Sequence, residues 1–202
     1  MRVWMLAILV GCGGATLEDD DDGGGLIFPG ETDEPGDGLS VEIETTMGTL
    51  VVALDAAAAP ITVENFLAYV DDGFYDGADG MGATVFHRVI DGFVVQGGGF
   101  TEGGGKKATD AAIVLESDNG RSNRAGTIAM ARTDSPDSAT SQFYFNLVDN
   151  DFLDYTDASN PGYAVFGELV EGAEVLSALG AVATGSGDQP TTDVVITRCE
   201  RR

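Results

Sequence analysis

The chain has 202 residues, of which 43% are hydrophobic and 22% charged, enough for one folded domain plus additional sequence at an end. Its formal charge of −24 repels polyanions, which excludes a nucleic-acid partner. Two cysteines and one histidine exclude a disulfide framework, a four-ligand zinc site and a histidine metal cluster.

At the amino terminus, Met1 and Arg2 precede a short apolar run ending at Val10. The run is too short to span a bilayer, which takes about 20 residues. It is long enough for the core of a secretory signal. Leu9-Val10-Gly11-Cys12 resembles the lipobox of bacterial lipoproteins, in which the signal is cut before a cysteine that is then lipidated. The expectation is a signal over residues 1–11 and a lipid on Cys12; an ordinary signal peptide that contains a cysteine is the alternative. Gly13 after the cysteine resembles the outer-membrane default of Gram-negative cells. The expected location is therefore extracytoplasmic, held to a bacterial membrane through the lipid alone, on the periplasmic side of an outer membrane. Residues 12–39 carry Glu18-Asp19-Asp20-Asp21-Asp22 and Gly23-Gly24-Gly25 with no helical or strand period. Like charges repel and glycine is flexible, so a disordered tether is expected, with a root-mean-square span of about 30 Å. A calcium loop fits poorly, because the acidic spacing is wrong and no helices flank it.

Order is expected from Ser40. Val41 to Glu44 alternates, Met47-Gly48 turns, and Thr49 to Leu54 returns as a hairpin. Pro60 opens a helix carrying Val63, Phe66, Leu67 and Val70 at helical spacing, with Thr62 as a candidate N-cap and Asp72-Gly73 as its end. Thr84 to Ile90 reads as a strand, Asp91-Gly92 as a two-residue turn, and Phe93 to Gln96 as a second strand stopped by Gly97-Gly98-Gly99. Further short strands are expected at Gly126–Ala131, Gln142–Leu147, Ala164–Gly167 and Val194–Ile196. A second helix holds Val175, Leu176 and Leu179 and ends at Gly180. Many short strands with two helices point to a mainly β fold, a closed barrel with helices over its ends.

No hydrolytic or redox motif is present. The one histidine, His87, lies in no G-x-S-x-G context and reads as structural, and Gly97-Gly98-Gly99 lacks the Lys-Ser/Thr of a phosphate loop. Arg88 is set among strand-forming apolar residues, and alternation puts it on the face opposite His87. From periodicity alone, an arginine at a sheet rim paired with a carboxylate accounts for it.

The stretch Phe86-His87-Arg88-Val89-Ile90-Asp91-Gly92-Phe93-Val94-Val95-Gln96-Gly97-Gly98-Gly99-Phe100 closely resembles the cyclophilin signature. Gly126–Arg132, Ser141–Asn146, Asn150–Asp154 and Tyr163–Gly167 resemble later segments of that family in the right order. The likeness spans about Val41 to Ile196 and is nearest to bacterial periplasmic cyclophilins. It implies a closed antiparallel eight-stranded barrel capped by two helices over residues 40–202. It also implies peptidyl-prolyl cis-trans isomerase activity on proline-containing polypeptide clients, as a monomer, with no cofactor and no metal. Carried over by position, Arg88 matches the catalytic arginine. Phe93, Val94 and Gln96 match pocket residues, and Ala131 and Arg132 match the stretch that grips the substrate backbone. Gln142 matches a second pocket amide, Tyr144 the aromatic floor, and Phe152, Leu153 and Tyr163 the far wall.

There are departures from the family pattern. Val94 stands for the common Met, Arg132 for Asn, Tyr144 for Phe, Phe152 for Trp and Tyr163 for His. Tyr144 adds a hydroxyl near the proline pocket, which keeps a binding module with little turnover as an alternative. A membrane-tethered holdase is the other. Extra residues around Gly77 to Gly82 lengthen a loop, and Cys199 reads as an inert or semi-exposed thiol beside the last strand.

Overall fold

The computed structural model describes residues 39–202. The signal, Cys12 and the tether lie outside the described residues, apart from Leu39. That residue already belongs to the fold, since its carbonyl accepts the Leu54 N–H at 2.9 Å.

Among the described residues there are eight strands and two helices. In chain order they are β1 (Ser40–Thr45), β2 (Gly48–Leu54), α1 (Pro60–Asp71), β3 (Thr84–Ile90), β4 (Val94–Thr101), β5 (Thr127–Met130), β6 (Phe143–Asn146), β7 (Val165–Glu171), α2 (Ala173–Gly180) and β8 (Ile196–Arg201). All ladders are antiparallel, in the order β3-β4-β6-β5-β7-β2-β1-β8. The sheet closes on itself where Phe86 N–H donates to Val194 O at 2.9 Å, next to the Val85↔Val195 bridge. Closure removes free sheet edges.

The barrel interior is aromatic. Phe66 of α1 meets Tyr75, Phe143 and Phe166 at centroid distances of 5.2–5.6 Å. Phe86 and Phe145 complete the packing, and each of these six rings is fully buried. Each aromatic pair adds about 0.5–1.5 kcal/mol beyond its area burial. Leu176 and Leu179 of α2 are buried in the same core.

The elements depart from the sequence reading at several points. The α1 helix begins at Pro60, and Thr62 is not its N-cap; the N-cap Ala59 makes no side-chain bond. The free N–H groups of Ile61 and Thr62 instead donate to the Glu116 carboxylate at 3.1 and 2.7 Å, and the Thr62 hydroxyl joins them at 2.7 Å. A carboxylate at a helix N-terminus is favourable, and this one arrives from 54 residues away. The turn after β3 has three residues, so Phe93 stays outside the strand and β4 starts at Val94. Gly97-Gly98-Gly99 does not stop β4, which continues to Thr101. Those glycines make room rather than a turn: a Cβ on Gly99 would lie 2.5 Å from Gln142, and one on Gly97 would lie 2.8 Å from Phe86. The last strand is β8, later than Val194–Ile196, and Cys199 within it is buried. Burial, with Asp76 and Glu200 nearby, pushes its thiol well up, so it is inert rather than semi-exposed.

The loop at Gly77–Gly82 is stapled from inside. The buried Lys107 ammonium donates to Phe74 O at 2.6 Å, Gly82 O at 2.8 Å and Asp79 Oδ1 at 3.0 Å, and sits 4.4 Å over the Phe74 ring. Burial opposes the Asp79 charge, but the Lys107 ammonium and the Met81 N–H outweigh it and hold its carboxyl below the ordinary value. Lys107→Met leaves two carbonyls and a carboxylate without their donor, and is expected to cost about 2–4 kcal/mol in chemical denaturation. The folded pKa of Asp79 is depressed, so its share is complete above the unfolded pKa of about 4 and fades as pH falls through the native value. A difference that grew in acid would contradict the staple.

Candidate active site

The candidate site lies on the outer face of the barrel. Register places Arg88 of β3 opposite Gln96 of β4, Gln96 opposite Tyr144 of β6, Tyr144 opposite Ala129 of β5, and Ala129 opposite Val165 of β7. Residues directly opposite point to the same face. One row thus runs from a cation through an amide to an aromatic ring and two small apolar residues.

The apolar end of the row forms its own cluster, separate from the barrel core. Val94, Ala129, Tyr144 and Val165 are its buried base, and Phe93, Ala131, Leu153 and Tyr163 are partly exposed around it. Tyr163 stands edge-on to Tyr144 with centroids 5.8 Å apart. Phe152 is 67% exposed and stacks on Phe93 at 5.7 Å. The result is a shallow apolar recess with an aromatic base, walled by rings.

The polar end is a chain of amides. The Arg88 Nη1 donates to Gln96 Oε1 at 3.4 Å, and Gln96 Nε2 donates to Gln142 Oε1 at 3.0 Å. Arg88 Nε lies 3.6 Å from Asp188 Oδ2, and the arginine side chain is 39% exposed. Arg88 is thus paired with a carboxylate and shares a row with Gln96 and Tyr144. His87 is half-buried against Phe100, at 4.6 Å. Burial first, and the Arg88 charge after it, hold its imidazole below the ordinary value despite a Val85 backbone bond.

The Arg132 guanidinium is bonded within the protein. Its Nε and Nη2 donate to Gly162 O at 2.9 and 2.8 Å, Nη1 donates to Thr133 O at 2.8 Å, and the guanidinium lies 4.5 Å over the Tyr163 ring. The side chain braces the Tyr163 wall. Ala131 stays at the recess edge, with its N–H on Gln142 O.

Sequence reasoning missed what stands behind the base. The Tyr144 hydroxyl turns inward and donates to Asn123 Oδ1 at 2.7 Å. Burial, with lesser repulsion from Tyr163 and Asp154, pushes that hydroxyl well above its ordinary pKa, so it remains a donor. Asn123 in turn donates through its N–H and Nδ2 to Asp154 Oδ1 at 2.7 and 2.8 Å. Asn146 Nδ2 reaches Asn123 Oδ1 and Thr127 Oγ1, and Asn150 Nδ2 reaches Asn146 Oδ1 at 2.8 Å and Phe93 O at 3.2 Å. These asparagines are fully or nearly fully buried. The network ties the recess base to the Asp151–Leu153 turn that carries the wall. Ala129 and Val165 were also missed as site residues, although both lie inside quoted segments. Nothing local marks Asn123, because its partners are distant in sequence.

Residues 40–201 match the family model described as cyclophilin type peptidyl-prolyl cis-trans isomerase/CLD. The peptidyl-prolyl cis-trans isomerase cyp18 of Streptomyces antibioticus is 50% identical over 163 residues, 78% of this chain and 95% of that protein. Peptidyl-prolyl cis-trans isomerase B of Escherichia coli K12 is 48% identical over 162 residues, 77% of this chain and 95% of that protein. A solved structure of the cyclophilin-type isomerase of Cryptosporidium parvum, obtained in the presence of the dipeptide Ala-Pro, superposes with a TM-score of 0.66. It is 26% identical, covering 81% of this chain and 98% of that one.

Proposed function

The chain belongs to the cyclophilin-type peptidyl-prolyl cis-trans isomerase family and is an isomerase of X-Pro bonds; from that premise, we propose that Arg88 carries the reaction by hydrogen bonding to the prolyl nitrogen in the twisted transition state. The observation that supports this most is the row in which Arg88 and Gln96 stand beside the apolar recess based on Tyr144.

The barrier is amide resonance, near 20 kcal/mol. In the planar ground state the nitrogen lone pair is delocalised and accepts poorly. In the twisted state it is localised and accepts well. A guanidinium donor therefore binds the transition state more strongly than the substrate, as catalysis requires. A charge-assisted hydrogen bond contributes about 1.5–3 kcal/mol net, or roughly one to two decades in rate. Phe93, Val94, Tyr144, Leu153 and Tyr163 would seat the proline ring, with Phe152 at the outer wall. Gln96, Gln142 and the backbone at Ala131–Arg132 would hold the flanking chain. Holding one side while the other rotates supplies the rest.

The hydroxyl of Tyr144 was the ground for a binding module without turnover. That ground is weakened, because the hydroxyl donates to buried Asn123. We place the enzyme outside the cytoplasm, lipid-anchored at Cys12 by the reading of residues 1–12, with bacterial relatives at about half identity supporting a bacterial setting. Its clients there are unfolded or newly exported proline-containing chains, which it meets as a monomer.

No proton moves in this mechanism, and arginine stays charged throughout. Burial holds His87 low. Turnover of an Ala-Pro peptide in a protease-coupled assay is therefore expected to stay nearly flat between about pH 6 and 9. A bell-shaped profile would show that a titrating group takes part and would sink the arginine mechanism.

A further inference from the structure

Arg88 is held on two edges. Gln96 takes Nη1, and Asp188 faces Nε at 3.6 Å, while Nη2 has no hydrogen-bond partner among the described residues. The fork is thereby oriented with one pair of donors left for a substrate.

Asp188 does not reach this position by accident of a floppy loop. It closes the 3-10 turn Ser186–Asp188 at the tip of a narrow stirrup. The stirrup is pinned by Gly185 N–H on Gln189 O at 2.7 Å, Thr191 N–H on Ala183 O at 2.8 Å and the Thr184↔Pro190 bridge. Among the described residues Asp188 is also the one non-glycine residue with positive φ, 60°. Left-handed backbone is tolerated by aspartate but costs energy, and such strain concentrates at working sites. Gly187 precedes it with φ 73°, so the chain spends two left-handed residues in a row to set that carboxylate.

We propose that Asp188 is a specificity-determining residue of this isomerase: its carboxylate neutralises Arg88 at the recess and biases the site toward proline flanked by a cationic rather than an anionic residue. This rests on the role proposed for Arg88. A bare guanidinium over the scissile-free X-Pro bond attracts an acidic neighbour, since adjacent Cα atoms are about 3.8 Å apart and the neighbour's charge falls within the field of the arginine. With Asp188 in place that attraction is cancelled, and the −24 charge of the chain then favours cationic flanks. One charge acting at about 6 Å through a water-like medium changes binding by about threefold.

The test measures kcat/KM of the full chain on peptides bearing Lys, Ala or Glu immediately before, or immediately after, the proline. In Asp188→Asn the Lys peptide is expected to fall about threefold and the Glu peptide to rise about threefold, so the Lys:Glu ratio drops about tenfold in at least one position. Asp188→Gly relieves the positive φ, so it folds at least as well, and it is expected to shift the ratio equally. The shift should shrink at high salt. Glu64→Gln, exposed on α1, removes the same charge from an element that contributes no residue to the row and should leave the ratio alone. A ratio that moves by less than twofold in both Asp188 variants overturns the proposal, and so does an equal shift in Glu64→Gln, which would assign the preference to net charge. Arg88→Ala is the separate arm: if it keeps full activity, the reading of Arg88 fails whatever the ratio does.

Discussion

Replacing Arg88 by alanine is expected to lower kcat/KM on an Ala-Pro peptide by roughly ten- to a hundredfold, with the fold intact. The size follows from losing one charge-assisted hydrogen bond made only in the twisted state, about 1.5–3 kcal/mol. Because that bond is absent in the ground state, the loss should appear in kcat rather than in KM. Stability should hardly move. The side chain is 39% exposed, and its ion pair with Asp188 is between exposed groups, which is worth little. Arg88→Lys should recover only part of the activity, since an ammonium cannot meet Gln96, Asp188 and the prolyl nitrogen from one planar fork. Activity of Arg88→Ala within about twofold of the parent would remove Arg88 from the mechanism.

The second large effect is expected at a residue that touches no substrate. Asn123→Ala strips the Tyr144 hydroxyl and the Asn146 amide of an acceptor and the Asp154 carboxylate of the Nδ2 donor, while the backbone N–H of residue 123 stays on Asp154. Unpaired buried polar groups cost about 1–3 kcal/mol each, and more when charged. A loss of about 3–5 kcal/mol in denaturant unfolding is therefore expected. The surviving folded protein should show a raised KM, because the Asp151–Leu153 turn that carries Phe152 and Leu153 is tied less firmly to the recess base, with the Asn150 and backbone bonds left to hold it. Tyr144→Phe is the contrast. It keeps the ring and removes only the inward hydroxyl, so it should cost about 1–2 kcal/mol of stability and leave kcat/KM within about threefold. A tenfold gain in activity from Tyr144→Phe would mean that the hydroxyl does enter the recess, and the geometry would be wrong.

These two positions mark what local sequence carries and what it does not. Arg88 sits in a stretch whose neighbours alternate as a strand, and its row partners Gln96 and Tyr144 lie in blocks that can be read one at a time. Asn123 sits in Asp118–Arg124, a polar stretch with no period. Its importance comes from Tyr144, 21 residues on, and Asp154, 31 residues on. Arg132 shows the same limit in reverse: its block was legible, but the carbonyl that occupies its guanidinium belongs to Gly162, 30 residues away.

Local patterning by itself determined the class of elements: period-two runs for most strands and helical spacing for α1 and α2, short-range properties set by side-chain alternation and backbone propensity. The ordered blocks that place Arg88, Gln96, Gln142 and Tyr144 in one family frame are legible through their resemblance to the family. Tertiary structure alone decided that β4 runs through three glycines, because the space they leave is filled by Phe86 of β3 and by Gln142, just before β6. It alone decided that Glu116 closes the start of α1, that Lys107 staples the Gly77–Gly82 loop, that the Tyr144 hydroxyl faces inward, and that Asp188 meets Arg88. Each of these is a polar group satisfied by a partner far along the chain. A buried donor or acceptor must be paired, but with whom is settled only when barrel closure brings distant strands and loops together.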